Sequence, residues 1–246
     1  YTIEPFIHWK DRSFLHCGAV SKENKAILFV GKGGVGKTSV VIYLIKNGFS
    51  YIADDWAIIG NSKVYPFFKT VHIFDYNLKN KELAKRALGN KRFLYRIIFA
   101  FFDLIDYIFK HRFVKIATRR LRPIFSVDIT KLYPGVKLGT ISDIKYVFLL
   151  EQDENLKEPR LEKTDAETVA NKMIYVNLTE MNYFYKEYHE YAFASGKNSW
   201  LENRKENELK IMRESFKGAK TYRLHVPKKI RPDAVYQKIS GLIDSK

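Results

Sequence analysis

Five apolar residues, Ala26-Ile27-Leu28-Phe29-Val30, run directly into Gly31-Lys32-Gly33-Gly34-Val35-Gly36-Lys37-Thr38, which fits G-x-x-x-x-G-K-[ST] at every fixed position. The apolar run reads as a buried strand, and residues 38–47 (TSVVIYLIKN) can continue as a helix. Strand, glycine turn and helix in that order constrain the chain to an α/β architecture. They also create an anion cradle. The glycines let successive backbone N–H groups turn toward phosphate oxygens, and the helix N-terminus adds its partial positive charge. Lys37 reaches the outer phosphates of a nucleotide, and the Thr38 hydroxyl can ligate Mg2+. Gly31, Lys32, Gly33, Gly34, Val35, Gly36, Lys37 and Thr38 are therefore the expected nucleotide-binding residues.

The chain has 246 residues, enough for one large domain with an elaborate insertion, and residues 1–246 are read as a single domain. Lys and Arg number 43 against 27 Asp and Glu, a formal charge of +16, which favours polyanionic partners: nucleotide phosphates, an acidic substrate, an anionic membrane surface or nucleic acid. Cys17 is the single cysteine, so a disulfide framework and a thiolate metal cluster are excluded and a reducing cytoplasm is the expected compartment. The first ten residues lack the basic start and apolar stretch of a secretory signal. A chain that begins at Tyr1 is expected to lack its native start.

Periodicity divides the sequence into three parts. Residues 14–60 form a strand, loop, helix, strand unit whose second strand, Tyr51-Ile52-Ala53, ends in Asp54-Asp55. Residues 63–68 and 70–74 alternate as strands do and predict a hairpin or sheet edge. From about 77 to 123 the composition shifts to helix formers and cations, an inserted basic helical region. Within it residues 93–109 (FLYRIIFAFFDLIDYIF) are the most apolar in the chain. Arg92, Arg96, Asp103, Asp106 and Lys110 draw a narrow polar stripe down that segment. A helix buried on most of its circumference is the expectation, ahead of an interfacial membrane helix, and the charges argue against a membrane span. Lys110, Arg112, Lys115, Arg119, Arg120 and Arg122 follow and keep a membrane-peripheral location open. In the third part, residues 144–150 (IKYVFLL) predict a fully buried strand, 165–173 a helix, 181–216 aromatic and basic helical sequence, 221–226 a strand, and Pro232 the start of a last helix through 242.

The loop alone does not separate a kinase from a hydrolase or a switch. His16 precedes the first loop glycine, and Asp54 and Asp55 follow the loop at the mouth of a neighbouring strand, where strand ends converge on a ligand crevice. One carboxylate there can hold Mg2+ and the other can accept a proton from an attacking hydroxyl. The order histidine, P-loop, then Gly48-Phe49-Ser50-Tyr51-Ile52-Ala53-Asp54-Asp55 resembles the HPr kinase/phosphorylase family. That family's pattern is a histidine, a P-loop and R-G-H-x-L-V-A-D-D, and the related ATP-dependent phosphoenolpyruvate carboxykinases carry a similar loop followed by D-D. The resemblance covers about residues 15–59. It implies that Lys37 and Thr38 bind phosphate and Mg2+, that Asp55 accepts the proton and that Asp54 supports the metal or its waters. It further implies that His16 contacts the reacting phosphate or orients an aspartate. The assignment of base between Asp54 and Asp55 stays open. The family's E-[IV]-R-G-[LI]-G segment has no match here, Pro134-Gly135-Val136-Lys137-Leu138-Gly139 lacking both the Glu and the Arg. A divergent member acting on a hydroxyl of a peptide, protein or small molecule is what the resemblance then implies.

Two further candidates compete with plainer roles. Glu151 closes an apolar strand as a hydrolysis-activating glutamate would, but a solvated strand end is the stronger reading. Arg119, Arg120 and Arg122 could lend a guanidinium to a transferring phosphoryl group or form a solvated face. Tyr183, Phe184, Tyr185, Tyr188, Tyr191 and Phe193 match no RNA-binding signature, so nucleic acid is not the expected partner. The sequence thus predicts an α/β, P-loop kinase-like mixed sheet flanked by helices, using ATP and Mg2+ on a hydroxyl acceptor. A P-loop NTPase, or a nucleotide-binding module docking on an anionic membrane or acidic partner, is the alternative.

Overall fold

The computed structural model describes residues 11–73, 81–109, 118 and 125–244. Lys110, Arg112, Lys115, Arg119, Arg120 and Arg122 lie outside these residues, as does the end of the strand expected over 70–74. The chain divides into two compact units, one of residues 1–68 and 137–246 and the other of residues 69–136.

The first unit is built on a nine-stranded mixed sheet. Its strands are β1 (Ser13–Leu15), β2 (Cys17–Lys22), β3 (Lys25–Val30), β4 (Ser50–Ala53), β5 (Ala57–Gly60), β6 (Lys63–Tyr65), β9 (Ser142–Gln152), β10 (Arg160–Lys163) and β11 (Lys220–Val226). The pairing order β1-β5-β6-β9-β3-β2-β4 places β1 and β4 at opposite ends. Yet only His16 separates β1 from β2, and only Asp54, Asp55 and Trp56 separate β4 from β5. The sheet must therefore curl until its ends meet. The registers show how: Ser21↔Ser50 and Val20↔Tyr51 in β2/β4, then Leu15↔Ala57, Phe14↔Ile58 and Ser13↔Ile59 in β1/β5, belong to one antiparallel ladder. That ladder opens between Ala19↔Ala53 and Leu15↔Ala57, at residues 16–18 and 54–56.

Strand alternation assigns the two faces of β3. Ala26, Leu28 and Val30 join Val147, Leu149 and Ile59 in a core completed by Val169, Ala170, Met173 and Ile174 of α5 (Ala166–Glu180) and Met212 and Phe216 of α8 (Arg204–Phe216). On the other face Phe29 stacks on Phe148 at 5.6 Å, and Phe148 on Tyr222 at 5.5 Å. There α1 (Lys37–Lys46) turns Val40, Val41 and Leu44 inward and packs beside α9 (Pro232–Ile243). Helices on both faces of a mixed sheet bear out the sequence-based fold class. The N-cap side chain of Asp165, accepting from the Thr168 N–H, sets the start of α5, and Pro232 at its first turn sets the start of α9. Between α5 and α8 lie α6 (Asn182–Ser195) and the short α7 (Ser199–Glu202).

The second unit holds α2 (Lys81–Leu88), α3 (Arg92–Ile108), α4 (Ile129–Leu132) and a two-stranded ladder of β7 (Val71–Ile73) and β8 (Phe125–Val127). Two sequence-based expectations are corrected. The segments at 63–68 and 70–74, expected as a hairpin or sheet edge, do not pair with each other: β6 lies inside the large sheet between β5 and β9, and β7 is an edge strand paired with β8 in the other unit. The helix over 93–109 is not buried on most of its circumference. None of its residues is buried, because only the flank of Tyr95, Ile98, Phe99, Phe102, Ile105 and Asp106 is partly covered.

Candidate nucleotide and phosphoryl-transfer site

The glycine loop spans from the end of β3 to α1, whose N-cap is Gly36 at φ 100°. That left-handed conformation is natural only for glycine, and an added Cβ would also lie 2.7 Å from Ile230 Cγ2. No side chain caps α1, and its first turn carries no acid. Its leading N–H groups therefore donate to no capping side chain.

Lys37 is only 6% exposed although it opens the helix. Its ammonium donates to Gly31 O at 2.8 Å and Lys32 O at 2.9 Å, and lies 2.9 Å from His16 Nε2. Desolvation holds the Lys37 pKa below the ordinary lysine range, against the pull of the neighbouring Cys17, Asp54, Glu180 and Asp55. An ammonium can only donate, so Nε2 is the acceptor and the histidine proton sits on Nδ1. Nδ1 lies 3.5 Å from Asp55 Oδ1. Lys37, His16 and Asp55 thus form one chain of polar contacts at the opened ladder.

Asp55 stands at φ 72°, a left-handed conformation that Asp tolerates better than most residues. Its neighbour Asp54 is 7% exposed and accepts from Thr38 Oγ1 at 3.0 Å on one oxygen and 2.9 Å on the other. Burial raises the Asp54 pKa to about 6, with Thr38 and Lys37 pulling it down and Asp55 pushing it up. The close approach of α1 to β2 at Gly18 makes this arrangement possible. A Cβ at Gly18 would lie 2.6 Å from Val41 Cγ2 and 3.5 Å from Asp54 Oδ1.

Five of the sequence-based candidates, Lys37, Thr38, His16, Asp54 and Asp55, therefore meet in one place. Glu151 does not join them: it pairs with Lys172, as a strand-end carboxylate would. Sequence reasoning missed the residues that frame the site. Glu180, the last residue of α5, brings Oε1 to 3.8 Å from His16 Nε2 and to 3.0 Å from where a Gly33 Cβ would stand. Asn177, fully buried one turn earlier, accepts from the His16 N–H at 3.0 Å and donates to Phe14 O at 2.8 Å and Glu208 at 3.3 Å. Glu208 in turn accepts from the buried Arg204 Nε. The Trp56 ring meets the His16 ring edge-on, centroids 5.3 Å apart. The Asn-x-x-Glu spacing on a helix is the one sequence signal of this frame, and it does not differ from a pair of polar residues facing solvent.

Residues that could hold Mg2+ beside a triphosphate are Thr38 and Asp54, one hydroxyl and one carboxylate, the sparse protein donor set this ion uses when phosphate and water complete its shell. The buried Asp54 carboxylate, which accepts from a neutral hydroxyl, fits such a role because a cation would stabilise its charged form. Among the described residues, no group of three or more His, Cys, Asp or Glu forms a self-sufficient metal cage.

No family model matches the sequence, and no curated protein matches it either. Among solved structures, the chain is similar to the Hpr(Ser) kinase/phosphatase from Coxiella burnetii, at 11% identity and a TM-score of 0.28, over 71% of this chain and 99% of that one.

Proposed function

We propose that the protein is an ATP- and Mg2+-dependent kinase that transfers the γ-phosphoryl group to a hydroxyl of a peptide, protein or small molecule. The observation that carries this reading is the continuous contact from Lys37 through His16 to Asp55 beside the open N-terminus of α1. In this reading the loop amides and Lys37 hold the β and γ phosphates, Lys37 exchanging its loop carbonyls for phosphate oxygens. Asp55 accepts the proton of the acceptor hydroxyl as its oxygen bonds the γ-phosphorus and the bond to the β-phosphate oxygen breaks, releasing ADP. His16 keeps Asp55 aligned through Nδ1–H. Thr38 and Asp54 would hold Mg2+, which would offset the charge of the β and γ phosphates.

The alternative reading, an NTPase that uses water, is separated by one experiment. The protein is incubated with labelled ATP and Mg2+, with and without a panel of hydroxyl acceptors, and products are identified by mass spectrometry. A phosphorylated acceptor that is lost in Asp55→Asn supports the kinase. Acceptor-independent release of phosphate at the same rate overturns it in favour of the NTPase, and bound nucleotide without turnover overturns both.

A further inference from the structure

The solvent-facing apolar side of α3 is the largest feature that the proposed chemistry does not use. Phe93, Ile97, Phe101, Leu104 and Ile108 recur at spacings of four, four, three and four, so they share one helix face. Each is more than half exposed, and Leu94 and Tyr107 widen the same face, with Phe93 at 71% and Tyr107 at 75%. The opposite flank, centred on Tyr95, Phe99 and Phe102, is the partly covered one. A contiguous exposed apolar surface along a 17-residue helix is far beyond the scattered single residues of an ordinary surface.

We propose that this face of α3 lies in the plane of an anionic lipid bilayer. Two observations select that occupant. Exposed cations stand at the N-terminal end of α3, with Lys91 just before it and Arg92 and Arg96 on its polar edge, where Asp103 is the one exposed acid of the helix. Lys110, Arg112, Lys115, Arg119, Arg120 and Arg122 extend the same bias in sequence. Anionic headgroups match that charge, whereas a second copy would bring the same cations and the same +16 against it. No described helix is long and apolar enough to cross a membrane, so α3 rests along the interface rather than through it. Its apolar side chains enter the headgroup and acyl boundary while Arg92 and Arg96 reach laterally to phosphate.

The test uses the full chain and sedimentation with vesicles of neutral phosphatidylcholine, alone or mixed with anionic phosphatidylglycerol. The expected result is binding to the anionic vesicles that weakens as salt is raised. In Ile97→Asp combined with Leu104→Asp, partitioning should fall by about tenfold or more, since two charges replace two inserted side chains. Circular dichroism and nucleotide binding should stay as in the parent. Arg92→Gln with Arg96→Gln should lower binding only to the anionic vesicles. A Tyr107→Trp reporter in the otherwise unchanged chain should gain fluorescence quenching by brominated lipid, which reads insertion even where the aspartate variant misfolds. Equal sedimentation of parent and aspartate variant, an unquenched reporter on bound protein, or no binding to anionic vesicles each overturns the proposal. So does a dimer, seen by light scattering, that the aspartate variant converts to monomer.

Discussion

Lys37 Nζ lies 2.9 Å from His16 Nε2, and the other ring nitrogen of His16 lies 3.5 Å from Asp55 Oδ1. In the proposed reading, the base is steered by an imidazole that itself contacts the lysine assigned to phosphate. Asp55→Asn keeps the shape and suits the left-handed backbone, so the fold should persist. Phosphoryl transfer in single-turnover assays should drop by about 10²–10³, with nucleotide affinity changed by less than about threefold.

Asp54 gives the protein a pH-dependent stability of defined sign. Its folded pKa is raised from the ordinary 3.8 to about 6, so the folded state keeps a proton that the unfolded chain has already released. Stability of the nucleotide-free, metal-free protein should therefore fall as pH rises from about 4 to about 6 and level off above, by up to about 3 kcal/mol from this group. Urea unfolding across that window should show the slope in the parent and lose it in Asp54→Asn. An unchanged slope would show that another group causes it.

Glu180 places negative charge over the loop that is proposed to receive phosphate. In Glu180→Gln the repulsion is gone, and nucleotide should bind about three- to tenfold more tightly at low salt, the difference shrinking as salt is added. Calorimetric titration at two ionic strengths measures both effects. Weaker binding in the variant would mean that Glu180 helps to organise the cradle rather than opposing its ligand.

Asn177 ties three elements together from a fully buried position, through the backbone of Phe14 and His16 and the carboxylate of Glu208. Asn177→Ala leaves all three groups without that partner and should cost about 2–4 kcal/mol in chemical denaturation. Because His16 loses its backbone anchor as well, turnover should fall more than nucleotide affinity does.

The elements that sequence alone made legible are those with long periodicity or punctuation. The strand at residues 144–150 became β9, Pro232 did open the final helix, and the loop sat between β3 and α1. The short strands around His16 were not legible. Cys17–Lys22 is built of small and mixed residues with no alternation, and its place in the sheet is fixed by partners on both sides rather than by its own pattern. The exposed side of α3 was misjudged for a related reason: periodicity reports which residues share a face, but not what covers that face. Glu180 and Asn177 were invisible because their proximity to the loop comes from the docking of α5, far along the chain.

The opened ladder between β1–β2 and β4–β5 has a further consequence. The paired rungs on either side of residues 16–18 and 54–56 fix where those residues stand, with one register shift between Ala19 and Val20. A slip of one residue along either rail would invert every side chain on it, carrying His16 and Asp55 to opposite sides at once. Substitutions among the outlying rungs, such as Ser21, Ser50, Phe14 or Ile58, can therefore silence the centre without touching any group in it.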